Sequence, residues 1–168
     1  AAFAPHSEQE EAIARYLRQK IVFVSNEDLL SGGVLCNIYA GLAAFYGKTV
    51  TDLSASQISE QALHGSDPLC REALECFCGI LGSVAGDFAL QLGAEGGVYI
   101  GGGIVPRFLE FLEKSAFRRC FEAKGRFAAY VATIPTYVII GTQPGLIGAA
   151  TIFDEEIDRG LRYEREHV

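Results

Sequence analysis

The stretch from Pro68 to Leu92 constrains this chain most. In it Leu74, Phe77, Leu81, Ala85, Phe88 and Leu92 recur at spacings of three and four. That period marks one face of a long α-helix. Asp67 suits its N-cap, and Pro68 suits its first turn, where a missing N–H costs nothing. Gly79, Gly82 and Gly86 recur inside the same stretch. Each glycine costs a helix about 1 kcal/mol against alanine. Three at near-helical spacing therefore predict an element packed closely against this helix.

Shorter signals flank it. Ser7-x-x-Glu10 is a capping-box pattern, followed by Ile13, Leu17 and Ile21 at helical spacing. Ser25-x-x-Asp28 opens a second helical stretch, Glu27 to about Tyr46, broken near Ser31-Gly32-Gly33 and ended by Gly47-Lys48-Thr49. A short helix is expected over Ser54–Gly65, and a turn at Gly65-Ser66-Asp67-Pro68. Val98-Tyr99-Ile100 reads as a short buried strand, Gly101-Gly102-Gly103 as a turn, and Pro106 as the opening of a helix over Arg107–Lys114. A second strand, Thr136–Ile140, leads into Gly141-Thr142-Gln143-Pro144-Gly145 and a final helix. The pattern is one α/β unit without linker or repeat, with a polar tail from about Asp154.

Composition narrows the function classes. The 168 residues are 49% hydrophobic and 21% charged, with a formal net charge of −7 and no basic block. That balance suits a globular domain and disfavours a nucleic-acid partner. A membrane partner is not expected either. The most apolar run, near Tyr130–Ile140, is interrupted by Pro135, and a span needs about 20 apolar residues. Cys36, Cys70, Cys76, Cys78 and Cys120 are odd in number and lack zinc or redox spacing. They read as free thiols of a cytoplasmic protein. Asp154-Glu155-Glu156-x-Asp158 lacks ordered ligand spacing and reads as a solvated helix face, so no protein metal site is assigned. His6, His64 and His167 are scattered, and no Ser-His-Asp or Cys-His arrangement is visible.

A strand, a glycine turn and a helix start make a corner that can hold an anion. Glycine lets backbone approach a ligand, and the helix start offers free N–H groups. The order at Gly101-Gly102-Gly103 is neither G-x-G-x-x-G nor G-x-x-x-x-G-K-[ST]. A turn needed only for packing explains this segment equally well. A second corner after Thr136–Ile140 favours a ligand cleft, with Gly101–Gly103 and Gly141–Gly145 facing it.

The run Gly96-Gly97-Val98-Tyr99-Ile100-Gly101-Gly102-Gly103-Ile104-Val105-Pro106-Arg107-Phe108-Leu109 resembles the adenosine-site motif of bacterial-type glucokinases. The similarity extends through Ser115-Ala116-Phe117-Arg118, Lys124-Gly125-Arg126-Phe127, Ile134-Pro135-x-Tyr137 and Pro144-Gly145-Leu146-x-Gly148. Upstream it includes Phe3-Ala4-Pro5, Val24-Ser25-x-Glu27, Leu30-Ser31-Gly32 and Asn37-x-Tyr39. It covers about Phe3 to Ala150.

The resemblance implies the large-domain part of a two-lobed, ribonuclease H-like fold of the actin–hexokinase type. Residues 1–140 would form the large-lobe α/β domain. Residues 141–168 would form a helix and tail packing on the other lobe. It further implies ATP-dependent phosphorylation of glucose, with Mg2+ carried mainly by the nucleotide phosphates. Glu27 matches the sugar-binding glutamate, although a first-turn glutamate favoured by the helix dipole is its ordinary reading. Ser31, Gly32, Gly101, Gly102 and Gly103 match the nucleotide side.

The chain also departs from the family. The family's Asp-Gly-Gly-Thr phosphate loop is absent, and so is the Asn-Asp pair that carries the catalytic base. Gly32-Gly33-Val34 stands where Gly-Pro-Gly is common. No catalytic residue is therefore assigned here. With no Met and an opening Ala1-Ala2-Phe3-Ala4-Pro5, the chain is expected to be a C-terminal part, inactive alone. Its expected partners are the N-terminal lobe of the same protein or, through self-association, a second copy. The alternative is a non-catalytic sugar or nucleotide sensor of kinase-like fold.

Overall fold

The computed structural model describes residues 1–65, 67–141 and 145–153. Helix α1 is Glu8–Arg18. Its N-cap Ser7 accepts from the Glu10 N–H at 3.2 Å. The Glu10 carboxylate reaches one residue beyond a reciprocal box and accepts from the His6 N–H. After the 3-10 turn Glu27–Leu29 comes α2, Val34–Phe45. Gly41 lets α1 cross α2 closely, because a Cβ there would lie 2.8 Å from Ile13 Cα. Helix α3, Ala55–His64, begins on a full capping box between Ser54 and Gln57. It ends on Gly65 at φ 82°, a left-handed position glycine occupies without strain.

Helix α4 spans Pro68–Leu92, and its cap Asp67 accepts from the Leu69 N–H at 2.8 Å. The expected close partner is α6, Phe117–Glu122. A Cβ at Gly82 would lie 2.1 Å from the Phe117 carbonyl oxygen, and one at Gly86 would lie 2.3 Å from that of Phe121. Polar contacts fasten the pair. The Glu75 carboxylate accepts from the Ala116 N–H at 2.7 Å. Lys124 Nζ donates to the Ser83 carbonyl and pairs with Asp87, both at 2.8 Å.

The apolar face of α4 ends earlier than its periodicity suggests. Leu74, Phe77 and Ala85 are buried, but Phe88 is 50% and Leu92 78% exposed. The buried stripe instead turns through Gly82, Gly86 and Ala89 toward α6. Helix α4 is also long and apolar enough, by length and composition, to cross a membrane. The sequence reading missed this. About two-thirds of that stretch (67%) is buried within the protein, so core packing accounts for its apolarity.

Strands β1, Val98–Ile100, and β2, Thr136–Val138, pair in parallel with Val98 opposite Thr136. A parallel pair needs a long crossover. Here it consists of the 3-10 turn Val105–Phe108, α5 (Leu109–Lys114), α6, a second 3-10 turn Gly125–Phe127 and α7 (Ala128–Ala132). The helix expected from Pro106 is thus a 3-10 turn running into α5, and the second strand ends at Val138. Only Ile100 of β1 is buried. Tyr99 is exposed and stacks on Tyr137, with ring centroids 5.0 Å apart. Arg118 braces the crossover by donating to the Ala132 and Ile134 carbonyls at 2.8 and 2.9 Å. Near the N-terminus, Ala2 bridges antiparallel to Ser25.

Residues 145–153 are helical, with Leu146, Ile147, Ile152 and Phe153 exposed. Residues 142–144 of the second glycine turn and the tail from Asp154, with its acidic cluster, lie outside the described residues.

All five cysteines are free thiols. Burial pushes Cys70, Cys76 and Cys78 up to about 12. They should therefore resist iodoacetamide at pH 8 in the native protein and react once it is unfolded. Peptide mapping that finds them modified in native protein would contradict this packing.

The α4–α6 contact gives a second expectation. Gly82→Ala should destabilise by at least about 2 kcal/mol, because a carbonyl cannot yield as a flexible side chain can. Gly79→Ala meets ordinary contacts alone, Cys120 Sγ at 3.5 Å and Ala116 Cβ at 3.9 Å. It should be neutral or gain up to about 1 kcal/mol of helix propensity. Urea denaturation of the two variants measures the contrast, and equal midpoints would count against it.

Candidate functional site

The segment from Ser25 to Val34 packs three local devices into a short length. Ser25 and Asp28 close a hydrogen-bonded loop in which the Ser25 N–H and Oγ–H both donate to Asp28 Oδ2, at 2.8 and 2.7 Å. Those bonds hold the Asp28 carboxyl below its ordinary value. The Glu27 carbonyl then accepts from the Ser31 N–H at 2.9 Å, turning the chain back. Gly33 caps α2 at φ 84° with no side-chain cap bond. Proline fixes φ near −65°, so the backbone at Gly33 follows a path that a proline at this position could not take.

The start of α2 opens onto a cavity of about 300 Å³. Gly32, Gly33, Val34 and Leu35 line one side. Gly103, Ile104 and Arg107 line another, and Ala55 and Ser59 of α3 complete it. The volume sits at the lower end of the usual range for small-molecule sites. The uncapped N-terminal turn of α2 brings a positive dipole end to the cavity. The Arg107 guanidinium adds a full charge, with no acidic partner among the described residues. Both favour an anionic guest.

The glycines explain why the cavity is open. A Cβ at Gly32 or at Gly103 would meet no atom within 4 Å, and neither has a positive φ. Neither packing nor backbone conformation therefore requires glycine at these two positions. Gly102 also faces open space, but its φ of 120° does favour glycine. Gly101 makes an ordinary contact with Ile139 Cδ1 at 3.7 Å.

Of the residues singled out in the sequence, Gly32 and Gly103 meet at the cavity. Ser31 adjoins Gly32, and Gly101 and Gly102 adjoin Gly103, outside the lining. Glu27 is exposed at the start of its 3-10 turn, with no hydrogen bond to its carboxylate among the described residues. Gly101 directly follows the C-terminal end of β1 and Gly141 follows that of β2 after two residues, so both come off the same end of the parallel pair. Ala55, Ser59 and Arg107 were not anticipated. Arg107 sits inside the glycine motif and could have been chosen for its charge, whereas α3 carried no ligand signal. Among the described residues no group of three or more His, Cys, Asp or Glu could hold a metal.

A glucokinase family model matches residues 1–156. A glucokinase of Chromobacterium violaceum is 51% identical over 149 residues, covering 89% of this chain and 43% of that protein. One of Neisseria meningitidis is 47% identical over 156 residues, covering 93% and 48%. The crystal structure of a glucokinase from an Antarctic psychrotroph superposes with a TM-score of 0.84 at 36% identity, covering 92% of this chain and 48% of that one. The chain thus spans about half the length of the curated relatives it matches. It has the mixed α/β, mostly helical fold of the corresponding part of such an enzyme. By sequence and by fold, the chain belongs to the glucokinase family.

Proposed function

We propose that this chain is the C-terminal half of an ATP-dependent glucokinase and supplies the nucleotide wall and one sugar-binding carboxylate. The observation that carries this reading is the meeting of Gly32 and Gly103 at one cavity, where the protein's own packing requires neither glycine. ATP occupies that cavity, with the start of α2 and Arg107 attracting its phosphates. Ser31, Gly101 and Gly102 hold the two loops that form its edges. Mg2+ bound with the nucleotide would supply neutralisation of charge developing on the phosphates, and no residue of this chain is assigned to hold it. Glu27, exposed and without a partner for its carboxylate among the described residues, accepts hydrogen bonds from sugar hydroxyls.

The catalytic base and the clamp on the transferred phosphoryl belong to the N-terminal lobe. Residues 1–140 act as the large-lobe unit, and the segment from 141 returns to that lobe. The exposed Leu146, Ile147, Ile152 and Phe153 supply an apolar face for it. Without that cover, the same face drives self-association. The location that fits this chemistry is the cytoplasm.

Two reciprocal variants in the full-length protein test the site. Glu27→Gln should raise the glucose requirement at least about tenfold, the scale of one hydrogen bond to a charged acceptor, with ATP dependence little changed. Gly102→Val, strained at its positive φ, should weaken ATP binding and barely affect glucose. Steady-state kinetics in both substrates reads both effects, and equal losses for both ligands in either variant would point to misfolding instead.

The 168-residue chain alone should show no glucokinase activity, because positioning and electrostatic stabilisation supply nearly all of phosphoryl-transfer catalysis. Activity should return on mixing with a separately expressed N-terminal lobe. Turnover by the chain alone would overturn the assignment of the base to that lobe. Binding of glucose and ATP without turnover in the mixture would point to a sensor.

A further inference from the structure

We propose that Asp28 is a positioning residue for sugar recognition. Its carboxylate closes the loop that fixes the turn from which Glu27 projects. The inference rests on the reading of Glu27 as the sugar-binding carboxylate.

Glu27 stands on a single 3-10 turn of three residues, Glu27–Leu29. Such a turn has few backbone bonds of its own. Here Leu29 N–H donates to the Asn26 carbonyl at 3.2 Å, and Leu30 and Ser31 N–H both donate to the Glu27 carbonyl, at 3.1 and 2.9 Å. Its N-cap residue Asn26 makes no side-chain cap bond. Asp28 supplies the closure instead. Two donors of Ser25 converge on Asp28 Oδ2, and the Asp28 N–H returns a bond to Ser25 Oγ at 3.3 Å. Ser25 is anchored in turn by its antiparallel bridge to Ala2. The flanking Asn26 N–H donates to the Ala1 carbonyl at 3.1 Å.

The backbone on both sides of Glu27 is therefore tied down while its own carboxylate has no partner among the described residues. An acceptor pre-set in this way binds without first losing conformational freedom. Bonds to an ionised acceptor are roughly twice as strong as neutral ones. Asparagine at 28 would keep an acceptor oxygen and lose the charge, and alanine would lose both. Asp28 itself touches no sugar in this scheme. Its removal should raise the glucose requirement and leave the chemical step alone.

The test uses the full-length protein and reads glucose KM and kcat separately, with thermal melting as a fold control. Asp28→Ala should raise glucose KM roughly five- to tenfold, less than the loss of a direct hydrogen bond to a charged group because the effect is indirect, with kcat within about twofold. Asp28→Asn should recover part of that loss. Ser25→Ala should give a smaller rise than Asp28→Ala, because the backbone N–H at 25 still donates to Asp28, and the double variant should be no worse than Asp28→Ala alone, as expected for members of one interaction.

Glu27→Gln, run alongside, separates the two levels of the argument. If Glu27→Gln raises KM while Asp28→Ala does not, the positioning role is overturned and the sugar site stands. If Glu27→Gln leaves KM unchanged, the sugar-site reading fails and the inference fails with it. A lowered melting temperature with glucose KM unchanged would show a structural role only and would also overturn the proposal. If Asp28→Ala does not fold, Asp28→Asn and Ser25→Ala decide the matter, and wild-type KM in both refutes the role.

Discussion

The approach of α6 onto α4 across Gly82 and Gly86 is the contact on which the rest of the structure depends. Two backbones meet there with no side chain between them, and one β-carbon would separate them. Around that contact the partners are polar and directional. Glu75 caps the start of α6, and Lys124 reaches back to Ser83 and Asp87. From α6, Arg118 grips the Ala132 and Ile134 carbonyls. The entry to β2 is thereby fixed, and with it the register against β1. The loop after β1 inherits its place, and Gly103 reaches the cavity. A glycine stripe on one helix thus sets the position of a loop well removed from it.

Helices were the most legible part of the sequence. Ser7 and Asp67 cap the elements their patterns announced, Ser54 caps a helix that was expected without its box, and the glycines of α4 found their close partner. Periodicity gave less at the end of α4. Phe88 and Leu92 continue the apolar repeat but face outward, because the buried stripe follows the small residues that α6 needs. The strands were found but misjudged. Three residues are too few to show a period, and Tyr99 is covered only by Tyr137. The span-like quality of α4 also escaped, because hydropathy was judged by the most apolar run rather than along the whole helix.

At the site, the glycine positions were legible through the motif they sit in, while the cavity was not. Gly32 and Gly103 lie far apart in sequence, and only tertiary packing shows that they share a space. Ser59 and Ala55 enter through α3, whose sequence carries a capping signal and nothing chemical. The backbone at Gly33 could not be read either. A Gly-Gly pair permits many paths, and the left-handed conformation at Gly33 is selected by the turn that precedes it.

The parallel pairing of β1 with β2 carries a kinetic consequence. Val98 meets Thr136 only after the whole crossover of short helices has been laid down. Contacts so distant along the chain pay their loop-closure entropy before they return any stability. The helical contacts among α1, α2, α3 and α4 are closer in sequence and free to form first. On that ordering the sheet closes late, and the cavity wall around Gly103 matures only when it does. Ligand binding would then report on the last stage of folding rather than on collapse.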